Sequence, residues 1–572
     1  TVDVNLTQTL NAAFITIGYN GPDNSGMNNL NLPAPTLADC QAETSWTMTT
    51  YPVSGAPNVR IAGTFITNTP LNDPRSCPGC CSPNWGTLLP VVAALVAADQ
   101  AANPGQAWVY YGLINNGIPV NVPGCNGVAT GGLAGRPQPY AHEIGHQFGL
   151  PHARCGTAGP GNANYPIYEP YDLPVDVPAN PVSATNWTMA SIGEYGLDIN
   201  NGNIANPNDA EDFMSYCGPR WISVYTHNYL VNRTELTPTV IPTGSGAATS
   251  RVIQDNEPNF TRRSDVIKPL VYLIGTLSAD GAVEISTVAR LETRYLVGDG
   301  RTTRYIAQLL GAEGQIISQD VLYAYTAEGC SSHESSGCCG GCQDCGCDDS
   351  GRDKGPVMLK GMLDDLAPGQ TLRIVKDGET VWERTAPAER PQVSNIRAQV
   401  TKDGRFSLSW RGQSYRDEQP EYWIRWSRDG QRWHALTIGV TDSKISLDLE
   451  QLPSGEIQFQ VMVHDGFTTA TAESKPIEIA ARPPVVTILY PQRDDLAYDE
   501  RQLHLWGTAV SRSGHDLADE QFVWTINGKE VGRGRDIWID KPGAGTHLVR
   551  VSVTDGELVG GAETAVNIQP SS

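Results

Sequence analysis

Three histidines and a glutamate carry the first chemical signal in this chain. The segment His142-Glu143-Ile144-Gly145-His146-Gln147-Phe148-Gly149-Leu150-Pro151-His152 has the spacing H-E-x-x-H-x-x-G-x-x-H. On a helix, His142 and His146 lie four residues apart and project from one face. Two imidazole nitrogens at that spacing can share one zinc ion. Glu143 sits beside the first ligand without binding the metal, where a carboxylate can serve as general base and acid. Catalytic zinc takes three protein ligands and keeps one position open. His152 is the candidate third ligand, although it lies out of helical register with the other two. Gly149 permits the positive φ that ends a helix, and Pro151 discourages its continuation. The chain can then turn back and bring His152 to the same ion. With 10 His in 572 residues, a chance match to all five fixed positions is on the order of 10⁻⁵. The chemistry expected is hydrolysis with one catalytic Zn2+ and Glu143 as the proton carrier.

Positioning such a constellation requires a helix on a rigid sheet. Val2 to Gly18, Val59 to Thr67 and Trp108 to Ile114 read as strands, Leu88 to Ala102 as a buried helix, and Tyr140 to Leu150 as the helix ended by Gly149. Strands alternating with helices predict an α/β (α+β) sheet domain over residues 1–237. Up to Thr234 there are 15 acidic residues and six arginines, a net of −9, and the first lysine is Lys268. This stretch is rich in Asn, Gly, Pro and Ala, which favours long ordered loops. Residues 238–261 are polar and rich in Pro, Gly, Ser and Thr, and read as a linker. Beyond them, short alternating runs separated by turn signals predict all-β sandwich domains. Their expected extents are 262–389, with a cysteine-rich insertion at 330–347, then 390–482 and 483–572.

Composition narrows the function classes. The chain carries 40 basic and 62 acidic side chains, a formal charge of −22, and no basic cluster, which argues against nucleic acid as a partner. Charged residues are 18 %, too few for a disordered acidic chain. The longest apolar run, Leu88 to Ala98, contains Pro90 and is too short to cross a bilayer, so no transmembrane segment is expected. The chain starts at Thr1 without a signal-peptide pattern, and is read as a processed form. Thirteen cysteines suit an oxidising, secreted or extracellular setting. An odd total leaves at least one thiol unpaired within the chain.

At the level of motifs, the N-terminal part resembles the metzincin clan of zinc endopeptidases. The second mark of that clan is a methionine turn beneath the metal, and Asp212-Phe213-Met214-Ser215-Tyr216-Cys217 fits it with Met214 as the turn residue. The M-x-Y spacing of Met214 and Tyr216 is similar to that of astacins and serralysins. In those families the tyrosine hydroxyl stabilises the reacting carbonyl oxygen, so Tyr216 is the candidate for that role. Around HEIGHQFGLPHA the chain resembles metzincins of the gametolysin type. Ala153 departs from metzincins that carry an acidic residue there. The last two blocks resemble fibronectin type III and immunoglobulin-like or PKD-like modules. The resemblance implies a secreted metalloendopeptidase acting on protein or glycoprotein substrates, with cell-surface and extracellular-matrix proteins among the candidates. The alternative is an adhesin whose zinc domain is not catalytic and whose β-sandwich modules bind carbohydrate or protein.

Weaker signals remain. His227 is expected to be an ordinary histidine, since three ligands complete the site without it. Arg220 and Trp221, following the methionine turn, are candidates to wall a substrate pocket. Because the two motifs must meet at zinc, a Cys155–Cys217 disulfide is plausible, with other pairings open. The stretch Asp198 to Asp212 offers oxygen donors for Ca2+ but lacks EF-hand order, and a solvated acidic loop is expected. The cysteines from Cys330 to Cys347 are read as a disulfide-stapled loop, with a structural metal as the alternative. Trp410, Trp423, Trp426 and Trp524 are expected mostly in sandwich cores, not on a glycan-binding face.

Overall fold

The computed structural model describes residues 9–570 apart from 54, 73–80, 104–107, 156–161, 163, 167–189, 232, 234–262, 279–280, 297–299, 327, 330–356, 367–368, 388, 414–419, 465–466, 494–495, 499–501 and 541. The expected linker at 238–261 and the cysteine-rich insertion at 330–347 lie outside the described residues. The N-terminal unit runs β1 (Asn11–Pro22), β2 (Asn29–Leu32), α1 (Leu37–Glu43), α2 (Ser45–Thr50), β3 (Asn58–Thr67), α3 (Trp85–Ala102), β4 (Val109–Ile114), β5 (Gly124–Asn126), β6 (Thr130–Leu133) and α4 (Pro137–Gln147). It closes with β7 (Gly196–Leu197), β8 (Ile204–Ala205), β9 (Glu211–Asp212), β10 (Arg220–Trp221) and α5 (Val224–Val231).

β1 lies between β3 and β4, both parallel to it, and β6 continues the parallel set beyond β4. β5 runs antiparallel to β6. A strand covered on both faces is buried along its length, as β1 is from Ala12 to Tyr19, and its alternating side chains serve two layers. Ala13, Ile15 and Ile17 pack towards α3 with Tyr110 and Ile114. Ala12 and Phe14 pack on the other face with Tyr111, Leu113 and the α4 residues Tyr140, Ala141 and Ile144. The alternation thus places the histidine helix on one side of the sheet and α3 on the other.

Three boundaries differ from the sequence expectation. Among the described residues the first strand starts at Asn11 and runs on past Gly18 to Pro22, while residues 1–8 of the expected strand lie outside them. The helix α3 starts at Trp85, with Pro90 held inside it. The helix α4 starts at Pro137, where a proline at the first helical position loses no hydrogen bond, and ends at Gln147.

Residues 263–385 form β11 (Arg263–Leu277), β12 (Val283–Leu296), β13 (Arg301–Leu310), β14 (Ile316–Thr326), β15 (Glu328–Gly329), β16 (Val357–Asp364), β17 (Thr371–Lys376) and β18 (Glu379–Thr385). Seven of them hydrogen-bond in one continuous sheet, in the order β12-β11-β16-β14-β13-β17-β18. The sheet folds over itself: Val271, Leu273 and Ile285 from one end share a core with Ala307, Leu309 and Ile374 from the other. β15 leaves this sheet and pairs antiparallel with β5 of the N-terminal unit. The next block has a three-stranded sheet and a five-stranded sheet, and the last block likewise has three and five strands. Trp410, Trp423 and Trp524 are buried, and Trp426 is half-buried.

The β units fold back onto the N-terminal unit. Trp423, Ala435, Ile438 and Met462 join the α3 core, as do Tyr272, Tyr323 and Met358. Leu489, Tyr490 and Trp506 of the last block join the core beneath α4, and Thr487 Oγ1 donates to Gln41 Oε1 at 2.7 Å. This explains why α3 has almost no polar face. It is long and apolar enough to cross a membrane by length and composition alone, yet it is covered by strands of three units. The exception is Asp99, buried within α3. Arg60 Nη1 and Tyr110 Oη both donate to its carboxylate, each at 2.8 Å.

Candidate metal centre

Helix α4 presents His142, Glu143 and His146 from a fixed platform. Its N-terminus is held by Glu43, whose carboxylate accepts from Gly135 N at 2.8 Å and Arg136 N at 2.9 Å. Its middle is held by Tyr51, whose hydroxyl donates to the Ala141 carbonyl at 2.6 Å. At its last turn, Gln147 clips the backbone of β4, accepting from Tyr110 N at 3.0 Å and donating to Tyr110 O at 2.6 Å. Gly149 has φ +84°. Leu150 N donates back to Gly145 O at 3.0 Å and Gly149 N to His146 O at 2.9 Å. This is the two-bond stop that a left-handed glycine allows, and it turns the chain towards His152.

The three imidazoles converge. Ring centroids are 5.0 Å apart for His142 and His146, 5.2 Å for His142 and His152, and 4.7 Å for His146 and His152. One ring nitrogen from each lies within 4.8 Å of the others. Among the described residues, no second group of three His, Cys, Asp or Glu side chains is so arranged. His142 Nδ1 lies 2.8 Å from the Phe213 carbonyl and His146 Nδ1 2.8 Å from the Leu150 carbonyl. A carbonyl only accepts, so both Nδ1 atoms carry the proton and both Nε2 atoms keep the lone pair that ligates metal. His142 Nε2 is buried without a hydrogen-bond partner among the described residues. Burial holds His142 and His152 well below the usual imidazole range, helped by the charge of neighbouring histidines. Three converging imidazoles, two of them held neutral and two with Nδ1 turned to a carbonyl, make a donor set zinc takes, so the residues present fit a zinc ion.

Beneath the cluster lies a turn at Met214. Asp212 is buried, and burial pushes its carboxyl up. Its oxygens accept from Met214 N at 2.8 Å and Ser223 N at 3.0 Å, pinning the turn to the segment that follows. Met214 O accepts from Ala153 N at 3.0 Å, and Cys155 O accepts from Tyr216 N at 2.9 Å, so the turn runs alongside the residues after His152. A Cys155–Cys217 disulfide joins the two segments. A second disulfide, Cys81–Cys125, ties the start of α3 to β5, and Cys40 is a buried thiol. Met214 packs directly under α4: a Cβ at Gly145 would lie 2.5 Å from its Sδ.

Glu143 is buried and lies against β5, with Oε1 3.5 Å from where a Cβ on Gly124 would stand. The Tyr216 ring is 5.5 Å from His142 and 4.9 Å from His152. His142, Glu143, His146, His152, Met214 and Tyr216 are therefore brought together. His227 is exposed on α5, outside the cluster. Arg220 contributes positive charge near His142 and is tied back by its Nε to Cys217 O at 3.0 Å. Trp221 faces Trp46 instead, at 6.5 Å. Asp198 to Asp212 is not wholly loop, since it contains β8, which pairs with β7 just before it, and β9. Sequence reading missed Glu43, Tyr51 and Gln147. Their partners are backbone groups distant in sequence, which leave no local pattern. Gly145 did leave one: glycine inside a helix is costly and asks for a packing reason.

No family model matches the sequence, and no curated protein matches it. Among solved structures, the chain is similar to the fibronectin(III)-like modules of CbhA from Clostridium thermocellum, at 13 % identity over 29 % of this chain and 86 % of that one, with a TM-score of 0.14. It is also similar to a two-domain fibronectin type III segment of chicken tenascin, at 10 % identity over 31 % and 98 % of the two chains, with a TM-score of 0.16. At these scores the strand pairings, not the alignments, carry the description of the β units.

Proposed function

We propose that the chain is a secreted, zinc-dependent endopeptidase of metzincin type that cleaves protein or glycoprotein substrates. The observation that carries the reading is the convergence of three imidazoles, ligand nitrogens within 4.8 Å of one another, beside the buried Glu143. His142, His146 and His152 would hold one zinc ion, which when bound supplies Lewis-acid polarisation to a water and a carbonyl. Glu143 takes a proton from the attacking water and later gives it to the leaving amine. The carboxylate is suited to this because its burial excludes competing solvent. Tyr216, half-buried beside His152, donates from its hydroxyl to the oxygen that becomes negative. Met214 offers an apolar floor that keeps the imidazoles from tilting. The disulfides support an extracellular setting, and the folded-back β units would hold the substrate-bearing surface near the site.

The test is Glu143→Gln. The variant should bind zinc with the stoichiometry of the wild type, while peptide hydrolysis falls by about 10²–10⁴, the usual contribution of a positioned acid–base group. A wild-type chain that binds zinc but cleaves no peptide library member would point instead to a binding protein with a structural zinc domain. Full activity in the variant would remove Glu143 from the mechanism.

A further inference from the structure

Between Cys155 and Arg220 the chain has no lysine or arginine, and among the described residues Glu194, Asp198 and Asp209 are its acidic groups that are not buried. Within this stretch β7 and β8 form a hairpin in which Leu197 stands opposite Ile204. Side chains alternate between the two faces of a strand. The Gly196 face is turned inward, because a Cβ there would lie 2.2 Å from Trp221 Cδ1. Leu197 and Ile204 therefore share the outward face, where they are 56 % and 66 % exposed, and Ile199 in the turn is 64 % exposed. Isolated exposed aliphatic residues need no explanation, but three on one short hairpin mark an interaction surface.

The hairpin is also held firmly. Asn200, at its tip, is buried. It donates to Thr49 Oγ1 at 3.2 Å, and its Oδ1 lies 2.7 Å from His504 Nδ1 of the last β unit. Asp198 N donates to Asn203 O at 2.9 Å, closing the turn. A face fixed from both sides loses little conformational freedom when it binds. Trp221, on which the hairpin rests, lies on β10, and β10 pairs with β9 just before Met214. The hairpin thus adjoins the elements that floor the histidine cluster.

The geometry points to an exosite: the Leu197, Ile199 and Ile204 face docks an apolar segment of a polypeptide substrate that also carries lysine or arginine. The exposed aliphatic groups select the apolar part, and the surface carboxylates Glu194, Asp198 and Asp209, with no lysine or arginine between Cys155 and Arg220, select the cationic part. A membrane surface fits less well, because anionic head groups would be repelled by the same acidic stretch. The inference rests on the peptidase reading for its purpose, yet docking needs no hydrolysis, and this separates the two in experiment.

The probe is an amphipathic peptide of alternating leucine and lysine stretches, measured by fluorescence anisotropy on the full chain. The triple variant L197S/I199S/I204S should bind it at least about tenfold more weakly than the wild type, as loss of buried anchors does. Raising the salt should weaken wild-type binding as well. In parallel, joining the probe to a short peptide substrate should raise kcat/KM for the wild type alone, with the unextended substrate cleaved equally by both chains. Equal binding of the probe by wild type and variant overturns the exosite. Binding of phosphatidylserine vesicles in place of the probe overturns the choice of partner. Probe binding that depends on the hairpin, with no cleavage of either substrate, retains the docking surface and removes the peptidase reading.

Discussion

Gly145→Ala puts two effects of opposite sign against each other. Alanine is the better helix former, so propensity alone would stabilise the variant by about 1 kcal/mol. The new Cβ, however, would stand 2.5 Å from Met214 Sδ and 3.3 Å from both Met214 Cε and Tyr51 Oη. Carbon and sulfur at ordinary contact are more than 1 Å further apart, by roughly the sum of their radii. Met214 cannot simply swing away, because it is buried and its backbone is fixed by Asp212 and Ala153. Overpacking of this kind costs about 1–3 kcal/mol. The net expectation is a loss of about 1 kcal/mol where propensity predicts a gain of the same size. The strain falls on the turn that carries Ala153, next to His152, so zinc affinity should drop by about tenfold, in line with disturbed outer-shell support. Denaturation midpoints of the apo chain and a chelator competition for zinc measure the two quantities. Adding Met214→Ala should remove the clash, so the double variant should be less damaged than the sum of the single ones. A G145A variant more stable than the wild type, with unchanged zinc affinity, would refute the close packing of the turn under the helix.

Three further outcomes follow from the geometry. Burial pushes the Glu43 carboxyl up to about 8, so the folded chain holds a proton there that the unfolded chain releases near pH 4.5; this stabilisation is complete below pH 4.5 and is lost as pH rises through about 8. Comparing denaturation midpoints at pH 5, 6.5 and 8 (values spanning that window, roughly as linkage prescribes), Glu43→Gln should lack the decline that the wild type shows. Replacing Cys155 and Cys217 together by serine opens a loop of sequence separation 62, which should cost up to about 4 kcal/mol by loop-closure entropy and weaken zinc binding through His152. His504 is stacked on Trp538 at 4.4 Å, with Asn200 and Asp536 at its two ring nitrogens. His504→Ala should therefore raise hydrogen exchange at residues 198–203 by about tenfold, the effect of losing the buried hydrogen bond to Asn200.

Much of the site was legible because its geometry is local. The i, i+4 spacing of His142 and His146, and the turn at Gly149, follow from helix periodicity and from the one residue that tolerates a positive φ. The strand-helix alternation likewise follows from the side-chain period of each element. The meaning of α3 was not legible. An almost wholly apolar helix reads the same whether a membrane, a single sheet or several domains cover it, and only packing shows three units sharing its surface. The acidic stretch around Asp198 read as a solvated loop, since nothing in its composition says that Leu197 and Ile204 face one way.

Sequence by itself determined the ligand chemistry: which side chains are present, at what spacing, and which neighbour can move a proton. Tertiary structure decided how those ligands are held. The carbonyl at Phe213 that sets the His142 tautomer, the Glu43 and Gln147 clamps on α4 and the docking of the last β unit on Gln41 and Asn200 all join residues far apart in the chain. Backbone groups are identical at every position, so a bond to one of them leaves no trace in residue type, and only folding reveals which of them it is.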